Sequence, residues 1–157
     1  MNGCFKYCTQ CKEKENCCVG FGVIDNPIIS SKEKEIIQNR TKCQEKIFTK
    51  IKGGCFNINS INGVCPFYKN GCTIYDIRPN DCKLYPYDLK LLEDKFFLIE
   101  YKLKCLHNNI LEEYVDEIIS EIAPYINVYT AKEYNKKVSN FGFEIIKQID
   151  VNKKKAT

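Results

Sequence analysis

No apolar run in this sequence approaches the length of a signal core or a membrane span, and no glycine-rich nucleotide loop interrupts it. It has no tryptophan, one methionine and a single histidine, His107, in 157 residues. A lone histidine is ordinarily a surface or structural residue, so any metal chemistry falls mainly to other side chains. Met1-Asn2-Gly3-Cys4 leads directly into polar sequence with no apolar core behind it. That start predicts a chain without a secretory leader, located in a reducing cytoplasm. The length fits one ordinary domain, or a small domain with an appendage.

Cysteine is abundant, with 11 residues. Secreted disulfide scaffolds are usually shorter and pair an even number of cysteines. In a reducing compartment a dense, odd-numbered set points to metal instead. The formal charge of +4 counts every thiol as neutral. Eight thiolates on two zinc ions would bring the total to about zero. Lys and Glu are interspersed along the helical stretches, and the Lys153-Lys154-Lys155 tail reads as a solvated end, so nucleic acid is not the expected partner.

Residues 1 to 20 hold Cys4, Cys8, Cys11, Cys17 and Cys18 among charged filler and read as a ligand loop. Cys8-Thr9-Gln10-Cys11 has the two-residue spacing whose sulfurs reach one tetrahedral ion. Ser30-x-x-Glu33 is a capping box that predicts a helix. Ile36, Ile37, Cys43, Ile47, Phe48 and Ile51 recur with helical spacing and would form its buried face, with Gly53-Gly54 as the stop. Cys43 is then a small buried hydrophobe.

Cys55 to Ser60 alternates as a short strand, and Asn62-Gly63 and Asn70-Gly71 each turn the chain. The second turn would bring Cys65 and Cys72 onto facing segments. Arg78-Pro79 would start a short helical turn carrying Cys82. Residues 86 to 92 and 96 to 103 alternate as a hairpin about Glu93-Asp94-Lys95, leading to Cys105 and His107. Residues 108 to 123 read as a helix closed by Pro124. Thr130-x-x-Glu133 caps another through Val138, and residues 141 to 151 are expected to form a third.

The resulting expectation is an α+β fold: a small metal-organised core with short β-hairpins and flanking helices, and a helical carboxy-terminal tail. Residues 1–107 would form the cysteine-cluster metal-binding domain and 108–157 a helical extension packed on it.

The cysteine pattern resembles the zinc- or iron-chelating cysteine-cluster family called YkgJ-like. The residues that carry the likeness are Cys8, Cys11, Cys17 and Cys18, then Cys65 to Tyr68, Cys72 to Tyr75, Arg78-Pro79, Cys82-Lys83 and Tyr85-Pro86-Tyr87. The likeness covers roughly residues 4 to 107, and the second block is its most specific part. Five residues separate Cys11 from Cys17 where the family usually has two, and Cys4, Cys43 and Cys55 are extra.

The resemblance implies a ligand set drawn from Cys8, Cys11, Cys17, Cys18, Cys65, Cys72, Cys82 and Cys105. It also implies an iron-sulfur cluster, with 4Fe-4S preferred, or zinc, and a small redox, accessory or maturation role with a protein partner. Adjacent side chains point apart, so Cys17 and Cys18 are not expected to serve one ion as an equivalent pair. The metal is expected to clasp the amino end onto the central hairpins.

A second reading is a modifying enzyme. Cys4-x3-Cys8-x2-Cys11 matches the triad that binds a four-iron cluster in radical S-adenosylmethionine enzymes, and flagellin lysine N-methylases resemble this cysteine-cluster family. Such enzymes need a large barrel of alternating strands and helices, which 157 residues with a hairpin-rich centre do not supply.

Overall fold

The computed structural model describes residues 26–51, 53–85, 87–102, 112–122 and 142–150. Its elements, in chain order, are β1 (Ile28–Ile29), α1 (Ser31–Thr41), β2 (Phe48–Lys50), β3 (Phe56–Ile58), α2 (Asn80–Leu84), β4 (Tyr87–Leu92), β5 (Lys95–Tyr101), α3 (Glu112–Ile122) and β6 (Phe143–Ile149). Single 3-10 turns at Glu45–Ile47 and Tyr75–Ile77 link them. The fold is α+β, as the sequence predicts, with two antiparallel three-stranded sheets ordered β1-β3-β2 and β4-β5-β6. No described helix is long and apolar enough to cross a membrane.

The capping box forms as read. The Ser30 side chain accepts from the Glu33 N–H at 3.1 Å, and the Glu33 carboxylate accepts from the Ser30 N–H at 2.8 Å. The helix is shorter than expected. It ends at Thr41, because Lys42 adopts the left-handed conformation (φ 54°) and returns its N–H to the Gln38 carbonyl at 2.8 Å.

Cys43 therefore lies beyond the helix, Ile47 sits in a 3-10 turn, Phe48 opens β2, and Ile36 is exposed. Gly53-Gly54 turns the β2–β3 hairpin instead of stopping a helix, with both glycines at positive φ. The apolar residues of that stretch nevertheless share one core, where Ile29, Ile37, Ile47, Phe48, Ile58, Phe67 and Ile74 pack together. Each such burial is worth roughly 1.5–3 kcal/mol against exposure, which is enough to override a helical period in the sequence.

The second sheet is built on the predicted hairpin. Leu92 pairs with Lys95, so the turn is only Glu93 and Asp94, both at positive φ as a type I′ turn requires. The helix expected over residues 108 to 123 is present as α3, whose Val115, Ile118 and Ile119 pack on Leu84, Leu89 and Leu98.

The helix expected over residues 141 to 151 is instead the strand β6, paired along β5 from Phe96↔Ile149 to Tyr101↔Phe143 with a bulge opposite Leu98 and Ile99. Its isoleucines suit a pleated surface, and β5 supplies the partner that an isolated sequence window does not reveal. The helix expected from Thr130 to Val138 lies outside the described residues.

Candidate metal centre

The central cysteine segment contains little regular structure and is held by turns. Tyr68 donates its N–H to the Cys65 carbonyl at 3.0 Å and pairs with Cys72 across an antiparallel bridge. Lys69 donates to Gly71 at 2.9 Å. The Phe67 carbonyl accepts both the N–H and the hydroxyl of Thr73 at 2.8 Å. Asn70 (φ 53°) and Gly71 (φ 138°) make the reversal, and at Gly71 a side chain would be strained.

Phe67 and Ile74, one on each limb, are buried in the first core and anchor the loop. Cys65 and Cys72 are half-buried against the same core. Across the Asn70-Gly71 turn it is Tyr68 that faces Cys72; Cys65, expected on the facing segment, stands three residues earlier and opens the turn closed by the Tyr68 N–H.

The chain then makes the 3-10 turn at Tyr75–Ile77, where the Arg78 guanidinium lies over the Tyr75 ring, 4.1 Å from its centroid. Arg78 and Pro79 are buried, and Pro79 is the residue before the helix instead of its first member. The one-turn helix α2 carries Cys82, half-buried.

Two carboxylates fasten α2 to the start of the described chain. Glu33 Oε1 accepts from the Asn80 N–H at 2.9 Å, while Oε2 serves Ser30. Asp81 Oδ2 accepts from the Ile28 N–H at 2.9 Å. At its other end α2 places Leu84 in the second core. Cys82 therefore stands on the element that joins the two sheets.

Of the eight cysteines in the expected ligand set, Cys65, Cys72 and Cys82 are among the described residues. Cys8, Cys11, Cys17, Cys18 and Cys105 lie outside them, as do Cys4 and His107, so the expected clasp falls there too. Among the described residues, no three Cys, His, Asp or Glu side chains converge as a set for a metal ion.

The two remaining described cysteines have a different character. Cys55 is 4 % exposed, and burial, with the Glu33 charge as a second cause, pushes its thiol up from the ordinary value. It is a core thiol held in its protonated form. Cys43 packs on the first core as a half-buried thiol, which keeps its expected apolar role while moving it off the helix.

Sequence reasoning missed Glu33 and Asp81 as anchors of the Cys82 helix. The capping box marks Glu33, but nothing local reports that its second oxygen serves a residue 47 positions away. Comparison of the chain with family models, with curated proteins and with solved structures gives no match.

Proposed function

We propose that this chain is a cysteine-rich metal-binding protein, holding an iron-sulfur cluster, 4Fe-4S in preference, or zinc. Its role on this reading is that of a small cytoplasmic redox, accessory or maturation protein acting with a protein partner, in keeping with the YkgJ-like resemblance of its cysteine pattern. The observation that carries the reading is that Cys65 and Cys72, either side of the Asn70-Gly71 turn, are both half-buried against the first core.

The donor chemistry fits a thiophilic ion. The sulfurs sit on backbone fixed by turns and a core, which lowers the ordering cost of ligation. Cys65, Cys72 and Cys82 would hold the metal from the central block, and Cys8, Cys11, Cys17, Cys18 and Cys105 would supply the remaining donors. When bound, an iron-sulfur cluster supplies one-electron transfer and zinc a structural crosslink. The apolar contacts of Cys65 and Cys72 limit solvent access and so tune either centre.

Metal analysis and absorption of the anaerobically purified chain test this reading. It predicts either a brown protein with iron and acid-labile sulfide, or a colourless one with stoichiometric zinc. Protein lacking both, after anaerobic preparation with iron, sulfide and zinc supplied, contradicts it.

A further inference from the structure

We infer that Asp81 and Glu33 are positioning residues for Cys82, an inference that rests on the metal-binding reading above. The two residues before Cys82 are each tied to the amino-terminal part of the chain: Asn80 through its N–H to Glu33, and Asp81 through its carboxylate to the Ile28 N–H, both at 2.9 Å. A five-residue helix has too few internal hydrogen bonds to hold its own orientation. These two bonds, together with Leu84 buried at 1 % exposure, fix where the Cys82 side chain stands.

The same bonds fix where the amino-terminal cysteine block joins the fold. Ile28 is the first residue of β1, and Ile29 beside it is buried in the first core. Cys18 precedes Ile28 by ten positions, a stretch that spans at most roughly 35 Å when extended. Asp81 thus also holds Ile28, the residue from which the sequence leads back to that block. A carboxylate one residue from a ligand that locks the ligand's backbone would act as an outer-sphere group does in other thiolate and imidazole sites.

Glu33 reinforces it. It is half-buried, caps α1 through Oε2 and α2 through Oε1, and so holds the two helix starts in one register. Glu33→Gln leaves one acceptor oxygen for two backbone donors, breaking one of the two bonds.

Titration of the full-length apo chain with cobalt(II) alone tests the inference, since sulfur-to-cobalt charge transfer reports thiolate ligation directly. Asp81→Ala is expected to weaken cobalt binding on the order of 10- to 100-fold. Asp81→Asn keeps an acceptor for the Ile28 N–H and is expected to restore affinity, and Glu33→Gln should fall between them. Leu91→Ala, in the separate cluster with Phe96 and Ile149, lowers stability without touching α2's anchors, and it should bind cobalt as the wild type does.

Asp81→Ala binding cobalt with wild-type affinity overturns the positioning role and leaves the metal reading intact. Asp81→Asn losing as much as Asp81→Ala means that the acceptor offered to the Ile28 N–H is not what supports binding, and also overturns it. Should Asp81→Ala fail to fold, Glu33→Gln against Leu91→Ala decides, with equal affinities overturning the inference. No thiolate charge transfer in the wild-type chain removes the metal reading and this inference together.

Discussion

Glu33 and Asn80, 47 positions apart, are joined by a carboxylate-to-backbone hydrogen bond of 2.9 Å, so one side chain caps both α1 and α2. The bond ties the start of the helix bearing Cys82 to the start of α1. Glu33→Ala should therefore cost more than an ordinary cap, about 2 kcal/mol, because two helix starts lose an acceptor. Urea unfolding measures it, and a loss below about 0.5 kcal/mol, the scale of an ordinary surface change, contradicts the double cap.

Much of this fold is legible in the sequence where local chemistry decides. Ser30 and Glu33 mark a helix start, Asn62-Gly63 and Asn70-Gly71 mark turns, and the alternation of residues 87 to 101 marks the hairpin. What is not legible is set by pairing at a distance. Ile47 and Phe48 keep helical spacing from Ile37, yet Phe48 pairs with Ile58 and becomes strand. Phe143 to Ile149 becomes strand because β5 offers an edge.

The candidate site divides the same way. The turn between Tyr68 and Cys72 is written in Asn70-Gly71, whereas the tether of Cys82 joins residues 47 and 53 positions apart and leaves no local trace.

Cys55 should behave as a core thiol. It should resist alkylation in the folded chain at mildly alkaline pH and react once urea unfolds it, as peptide mass spectrometry would show. Its folded-state thiol titrates above the ordinary value of 9.0, so the unfolded chain loses that proton first. The Cys55 contribution to stability is then complete below about pH 9 and declines as the pH rises towards the folded-state value. Cys55→Ala should flatten that alkaline decline at a cost of about 1 kcal/mol. Rapid alkylation of native Cys55 contradicts this placement.

Cys43 and Cys72 should separate cleanly. Cys43→Ala removes a half-buried thiol from the edge of the first core and should cost on the order of 1 kcal/mol with metal content unchanged. Cys72→Ala should lose metal. Elemental analysis of the two purified variants checks both, and metal loss from the Cys43 variant would bring that residue into the site.

In the second sheet, Tyr101 donates its hydroxyl to the buried Asp88 carboxylate at 2.5 Å. Tyr101→Phe removes that donor and should destabilise by about 1.5 kcal/mol, since a buried acceptor loses a partner. Thermal or urea unfolding reports it. A neutral effect would mean that the carboxylate's other contacts satisfy it fully.

The most direct test of the central claim is X-ray absorption at the metal edge of the anaerobically purified full-length chain. Thiolate ligation predicts sulfur neighbours at about 2.3 Å, four around zinc, or with a short iron-iron distance added for a cluster. Cys72→Ala should lose the signal or show fewer sulfurs. A first shell of oxygen and nitrogen alone, or a spectrum unchanged by Cys72→Ala, Cys65→Ala and Cys82→Ala together, would contradict a centre built on these cysteines.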